Sequence, residues 1–130
     1  MDMPPYFKRE DVAVATGWHV TRAQNLIARN DHRVNAMPNS NGILRDGGLR
    51  YGSCTHGGLS GVNFFTYFPT HLVVDDYVCL KIDVIHGTRL KGGSGHRLCS
   101  RGVFGELART VTVRSVVFPR ENAWEVAQVA

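Results

Sequence analysis

Cysteine is scarce in this chain, with three in 130 residues, and Cys54, Cys79 and Cys99 form an odd, widely spaced set. That pattern argues against a disulfide-stapled secreted scaffold and leads us to expect reduced thiols. Long apolar runs are absent too. None approaches the roughly 20 residues that a spanning helix needs, and Met1-Asp2-Met3-Pro4-Pro5-Tyr6 has neither the basic nor the apolar region of a signal peptide. The expectation is a soluble intracellular protein, cytoplasmic or nuclear, with no membrane partner. Charge runs are missing as well: 15 Lys and Arg are scattered among 11 Asp and Glu for a net charge of +4. This is a mild lean toward anionic partners such as nucleotide, nucleic acid or phosphate. Two catalytic signatures are absent. There is no Gly-x-Ser-x-Gly elbow, and the glycine-rich stretch Lys91-Gly92-Gly93-Ser94-Gly95-His96-Arg97 lacks the Gly-Lys-Ser/Thr ending of a phosphate-binding loop, so it reads as a mobile hairpin loop.

Glycine itself is unevenly spread. Only Gly17 precedes residue 42, whereas the other 13 glycines fall between Gly42 and Gly105, so the middle of the chain turns often and brings backbone close to other groups. With 43% hydrophobic residues, the chain is expected to bury one core as a single domain over residues 1–130.

The local patterns predict a mixed α+β domain, with a largely antiparallel sheet and few short helices. Val12–Ala15 reads as a strand, followed by a turn and by a short helix from Arg22 to Arg29 capped by Thr21. Residues 30–41 carry four Asn, one Asp, one Ser and one Pro, and read as a long polar loop inserted over a site or left disordered. Ile43-Leu44-Arg45-Asp46 before Gly47-Gly48 reads as a helix end stopped by a left-handed glycine. Val62 to Phe68 is rich in strand formers and stops at Pro69. In Val78-Cys79-Leu80-Lys81-Ile82-Asp83-Val84-Ile85, alternate residues Val78, Leu80, Ile82 and Val84 share one face of a strand. Thr110 to Phe118 is a second such strand, ended by Pro119, and residues 119–130 are a tail that forms a short helix or frays. His86-Gly87-Thr88 reads as a polar turn.

His19 stands where the first strand is expected to give way to the helix. A neutral imidazole there donates one hydrogen bond and accepts another, which suits a ribose diol, and the Thr21 hydroxyl assists. Cys54-Thr55-His56 and His96-Arg97-Leu98-Cys99 supply two sulfurs and two imidazoles, yet neither pair has a common structural-zinc spacing, so no metal is assigned.

The order of Trp18-His19-Val20-Thr21, Ile43-Leu44-Arg45-Asp46-Gly47-Gly48-Leu49, Gly61-Val62-Asn63-Phe64-Phe65-Thr66 and the two late strands resembles the ADP-ribosyltransferase-like fold. The branch in question is that of diphtheria toxin and the poly(ADP-ribose) polymerases, which includes the RNA 2′-phosphotransferases. The likeness covers residues 12 to 118, with Val20 where the family has glycine and Asn63 where it has an aromatic. It implies a transferase acting on NAD or on a nucleotide 2′-phosphate. By that resemblance His19 and Thr21 hold a ribose, while Gly61, Asn63, Phe64 and Phe65 form the strand that packs on the nicotinamide ring. Glu106 is the carboxylate that steadies an oxocarbenium-like centre; alternatively, Arg45, Arg50, Arg97 and Arg101 grip phosphates, as a 2′-phosphotransferase requires. The competing expectation is a small basic RNA-binding module without catalysis, in which Tyr51, Phe64, Phe65 and Tyr67 stack on bases while arginines meet phosphates.

Overall fold

In the computed structural model, the structure describes residues 7–27, 42–54, 59–90, 97–120 and 123–128. The strands are β1 (Phe7–Ala13), β2 (Thr16–Arg22), β3 (Gly52–Cys54), β4 (Leu59–Phe65), β5 (Tyr77–Val84), β6 (His86–Leu90), β7 (Arg97–Arg101), β8 (Val111–Arg120) and β9 (Ala123–Gln128). They form one antiparallel sheet in the order β1-β6-β7-β4-β2-β5-β8-β9, with β3 paired on β4. Among the described residues, helix is limited to α1 (Ile43–Asp46) and to two 3-10 turns at Ala23–Leu26 and Thr70–Leu72. The sheet therefore dominates more than the expected α+β mixture implies, although it is antiparallel as expected. Among the described residues, no helix is long and apolar enough to cross a membrane.

One register organises the sheet. Asp11, Val12 and Ala13 of β1 lie opposite Thr88, Gly87 and His86 of β6, and Thr16 to Arg22 of β2 lie opposite Asp83 to Tyr77 of β5. The two residue numbers in each of these pairs add to the same total. In effect β1 and β2 are one long strand, and β5 and β6 are its partner, with breaks near Val14 and Ile85 bridged by the bond from Val14 N–H to the Ile85 carbonyl at 3.3 Å. At the breaks the outer neighbours change. β5 takes β8 on its other edge, β6 takes β7, and β2 takes β4. Since β7 also pairs with β4, the sheet curls over its own inner face.

That inner face holds Phe64. Its side chain is 1% exposed and its ring fills the space left by two glycines. A Cβ at Gly17 of β2 would lie 2.6 Å from Phe64 Cδ2, and one at Gly87 of β6 would lie 2.7 Å from Phe64 Cζ. Around it Val62, Val78, Leu80, Ile82, Val84, Leu98, Val113 and Val116 form the main core, which extends to Leu26, Ile43 and Tyr51. The opposite face carries a smaller cluster of Val73, Cys79 and Val117, against which Trp18, Val20 and Phe68 pack.

Three local expectations are corrected. Trp18-His19-Val20-Thr21 does not turn into a helix but continues β2 to Arg22, because its backbone is claimed by β5. The helix shrinks to the 3-10 turn, whose cap position is Arg22 rather than Thr21 and has no side-chain cap bond. His86-Gly87-Thr88 is part of β6 and not a polar turn, since Gly87 is where the Phe64 ring approaches the backbone. The tail is a strand, β9, laid along β8 from Arg120↔Ala123 to Ser115↔Gln128, and β8 runs through Pro119 instead of stopping there. The expected loop at 30–41 and the glycine-rich stretch at 91–96 lie outside the described residues. The end of α1 is as expected: Gly47 adopts φ 75° and its N–H bonds the Ile43 carbonyl at 3.0 Å.

Candidate functional site

β2 and β4 touch through a single described register pair, Trp18↔Phe65. One residue farther along β2, the link between the two strands is a side chain. His19 Nδ1 lies 2.5 Å from the Asn63 carbonyl oxygen. A carbonyl only accepts, so Nδ1 carries the proton and donates it. The ring plane is thereby set by the β4 backbone. Beside it, Thr21 Oγ1 accepts a hydrogen bond from Asn25 Nδ2 at 2.9 Å, and that contact ties the 3-10 turn to the end of β2. Asn25 Oδ1 and Asn63 Oδ1 are both buried without a hydrogen-bond partner. Buried amide oxygens of this kind are costly, and a donor-bearing ligand or water would satisfy them.

Alternation then sorts the expected site residues. Gly17, His19 and Thr21 of β2 face the Phe64 side, in register with Ile82, Leu80 and Val78 of the core. On β4, Val62 and Phe64 are core, so Gly61, Asn63 and Phe65 point to the other side. His19 and Thr21 are therefore brought together. Asn63 reaches His19 through its backbone, whereas the Phe65 ring is on the opposite face from the His19 ring. Phe64 shares the His19 face, but it is fully buried against two glycines and offers no ring face to a ligand.

The remaining candidates stand elsewhere. Glu106 is exposed, in the turn between Gly102 and Leu107, and the bonds that fix this turn run to Tyr51: Tyr51 N–H to the Glu106 carbonyl at 2.9 Å, and Gly105 N–H to the Tyr51 carbonyl at 2.8 Å. Arg50 is held on the same turn, with Nε 3.0 Å from Asp46 Oδ2 and Nη1 2.8 Å from the Gly105 carbonyl, so its charge is already engaged. Arg45 is exposed on α1 and Arg101 is exposed at the end of β7. The four arginines do not form one phosphate grip, because Arg97 instead lies over the Phe65 ring, 5.8 Å from its centroid. Tyr51, expected to stack on bases, is buried; its hydroxyl is 2.9 Å from Thr110 Oγ1, which is 2.8 Å from Ser100 Oγ.

The cysteines also depart from expectation. Cys99 is disulfide-bonded, so the thiols are not all reduced, and Cys99 is not a thiolate awaiting zinc. Of the other residues in that set, the Cys54 side chain, His56 and His96 lie outside the described residues. Cys79 is the free buried thiol, and burial pushes its pKa from 9.0 up to about 12. Two consequences are expected. In the native protein Cys79 resists a thiol reagent at pH 8 and reacts only on unfolding. Above pH 9 the unfolded thiol ionises while the folded one stays neutral, so this group lowers stability as pH rises from 9 toward 12. Rapid labelling of Cys79 in native buffer, followed by mass spectrometry, would contradict this placement.

No protein-family model matches the chain, and neither a curated protein nor a solved structure matches it.

Proposed function

We propose that the chain is an ADP-ribosyltransferase-like protein that binds NAD or a nucleotide bearing a 2′-phosphate at His19 and Thr21. The observation that carries this reading is the His19 Nδ1 hydrogen bond to the Asn63 carbonyl. It fixes the plane of a half-buried imidazole beside β4, which carries Gly61-Val62, the juxtaposition that the resemblance assigns to a ribose and nicotinamide subsite. The His19 imidazole then meets one ribose hydroxyl, and Thr21 contributes its own hydroxyl alongside. The unpartnered Asn25 amide oxygen, beside Thr21, adds an acceptor suited to a hydroxyl or carboxamide donor.

Two parts of the resemblance are altered in this proposal. Phe64 acts as the packed floor of the sheet rather than as the stacking ring. Glu106 is carried forward as the carboxylate for glycosyl transfer on the resemblance alone.

Calorimetric titration with NAD, ADP-ribose and a nucleoside 2′-phosphate tests the reading. The wild type is expected to bind at least one of them saturably. His19→Ala is expected to weaken binding by roughly tenfold, as loss of one or two hydrogen bonds of about 1 kcal/mol each implies. Glu106→Gln is expected to retain binding and to lose any release of nicotinamide. A folded wild type that binds none of the three ligands would overturn the proposal.

A further inference from the structure

β2 presents a second set of residues on its other face. Register places Arg97 of β7 opposite Phe65 of β4, Phe65 opposite Trp18 of β2, and Trp18 opposite Lys81 of β5. The result is one row across four adjacent strands, ordered cation, ring, ring, cation. Its members touch as well as align: the Arg97 guanidinium carbon is 5.8 Å from the Phe65 centroid, and Lys81 Nζ is 5.9 Å from the Trp18 centroid. Two further rings extend the row. Tyr67 meets Phe65 edge-on at 5.8 Å, and Phe68 meets Trp18 edge-on at 5.1 Å. Lys81 and Tyr67 are exposed, while Trp18, Phe65 and Arg97 are half-buried. Farther along the same face, Arg22 lies 5.6 Å from the Tyr77 centroid.

From this row we infer that this face of the sheet binds single-stranded nucleic acid, at a site separate from the His19 face and independent of its ligand. Two requirements select the occupant. The cations at both ends call for negative charge at intervals, and the Phe65 and Tyr67 rings call for flat partners, while Trp18, packed against Val73 and Phe68, braces Lys81. A single strand supplies both in alternation, as phosphates and bases, whereas an acidic peptide meets only the first requirement and a duplex keeps its base faces stacked away. The charge balance agrees. Asp83, two residues along β5 from Lys81 on this face, has Arg114 Nε 2.5 Å from its Oδ2 and is thereby neutralised, and the whole chain is net positive at +4. Arg97 Nε is buried without a partner, so the guanidinium is seated by the Phe65 ring and meets an anion through its outer nitrogens. Tyr51 and Phe64, by contrast, take no part, because both are core.

The test is fluorescence anisotropy with a labelled uridine-rich RNA of about ten nucleotides, within the roughly 4–16 that such surfaces cover, across a series of salt concentrations. The wild type is expected to bind with affinity falling as salt rises. The double variant Lys81→Gln/Arg97→Gln should lower affinity at least tenfold and flatten the slope of log affinity against log salt by about 1.4, or about 0.7 for each cation removed. Tyr67→Ala, a single change at an exposed ring, should weaken binding about tenfold with little change in slope, and it keeps the test open if the double variant fails to fold. Unchanged binding by folded variants overturns the inference. So does displacement of the RNA by polyglutamate or by NAD, or equal affinity for the matching duplex.

Discussion

Replacing Phe64 with alanine is expected to lower the unfolding free energy by about 3–5 kcal/mol. Urea titration of the two proteins checks this as a fall in the midpoint at constant slope. The figure is at the upper end for a core residue because Phe64 does more than fill volume. Its ring is seated between the backbones of β2 and β6 at Gly17 and Gly87, with contacts that a Cβ at either position would bring to 2.6 Å and 2.7 Å. Removing the ring leaves an opening that neither glycine can fill, where the curled sheet depends on that contact. A double-mutant cycle isolates the fit. Gly17→Ala alone is expected to cost about 1–3 kcal/mol by overpacking. In a Phe64→Leu background the same substitution should cost less, giving a favourable coupling of about 1 kcal/mol or more. Additive costs would mean that the ring and the glycine do not share the space described here.

Gly102→Ala ranks next. A Cβ at this position would lie 2.2 Å from both Cε2 and Cζ of Tyr51. A ring is not the free end of a flexible chain, so it must turn or the backbone must retreat. Tyr51 has little room to turn, because its hydroxyl ends the buried Tyr51–Thr110–Ser100 chain of hydrogen bonds and its backbone bonds the turn at Gly105 and Glu106. The expected cost is about 1–3 kcal/mol from overpacking, with roughly 1 kcal/mol more if the hydroxyl chain breaks. Tyr51→Phe, which removes the hydroxyl and leaves the ring, should cost only about 1 kcal/mol. Thermal melts of both variants decide the matter. A Gly102→Ala protein that melts with the wild type would show that Tyr51 is not pinned.

How much of this was legible beforehand depends on where the signal sits. Val78, Leu80, Ile82 and Val84 announce β5 because its inner side meets a core while its outer side is partly open, so alternation is visible in the residues themselves. Gly47 announces the stop of α1 because its left-handed φ is a local property. β2 was hidden by a local signal that pointed elsewhere. Thr21 followed by Arg22-Ala23-Gln24-Asn25 reads as a cap before a helix, but the bonds from β5 outweigh that weak preference. β6 and β9 were hidden because their reasons are distant: Gly87 is explained by a ring 23 positions away in the sequence (Phe64), and β9 by the free edge of β8. The residues of the expected cleft divide between two faces for the same reason. His19 and Thr21 share a face by simple alternation, but the side on which Asn63, Phe64 and Phe65 fall relative to them is set by the pairing of β2 with β4, a property of the fold and not of either segment.

The constant register that runs through β1 with β6 and β2 with β5 also determines where the chain tolerates a change in length. A residue inserted between Thr16 and Arg22, or between Tyr77 and Val84, would exchange the two faces beyond that point, sending Trp18 and Cys79 toward the Phe64 core and His19 out of it. Because the same offset governs both halves, a slip in one half could not settle unless the other slipped with it. The segment from Thr66 to Asp76 carries no such ladder and crosses from β4 to β5 over the Trp18 face. Relatives of this chain should therefore differ in length in that crossing and hold the count fixed in the paired strands, and a tag or graft placed there would leave the sheet in step.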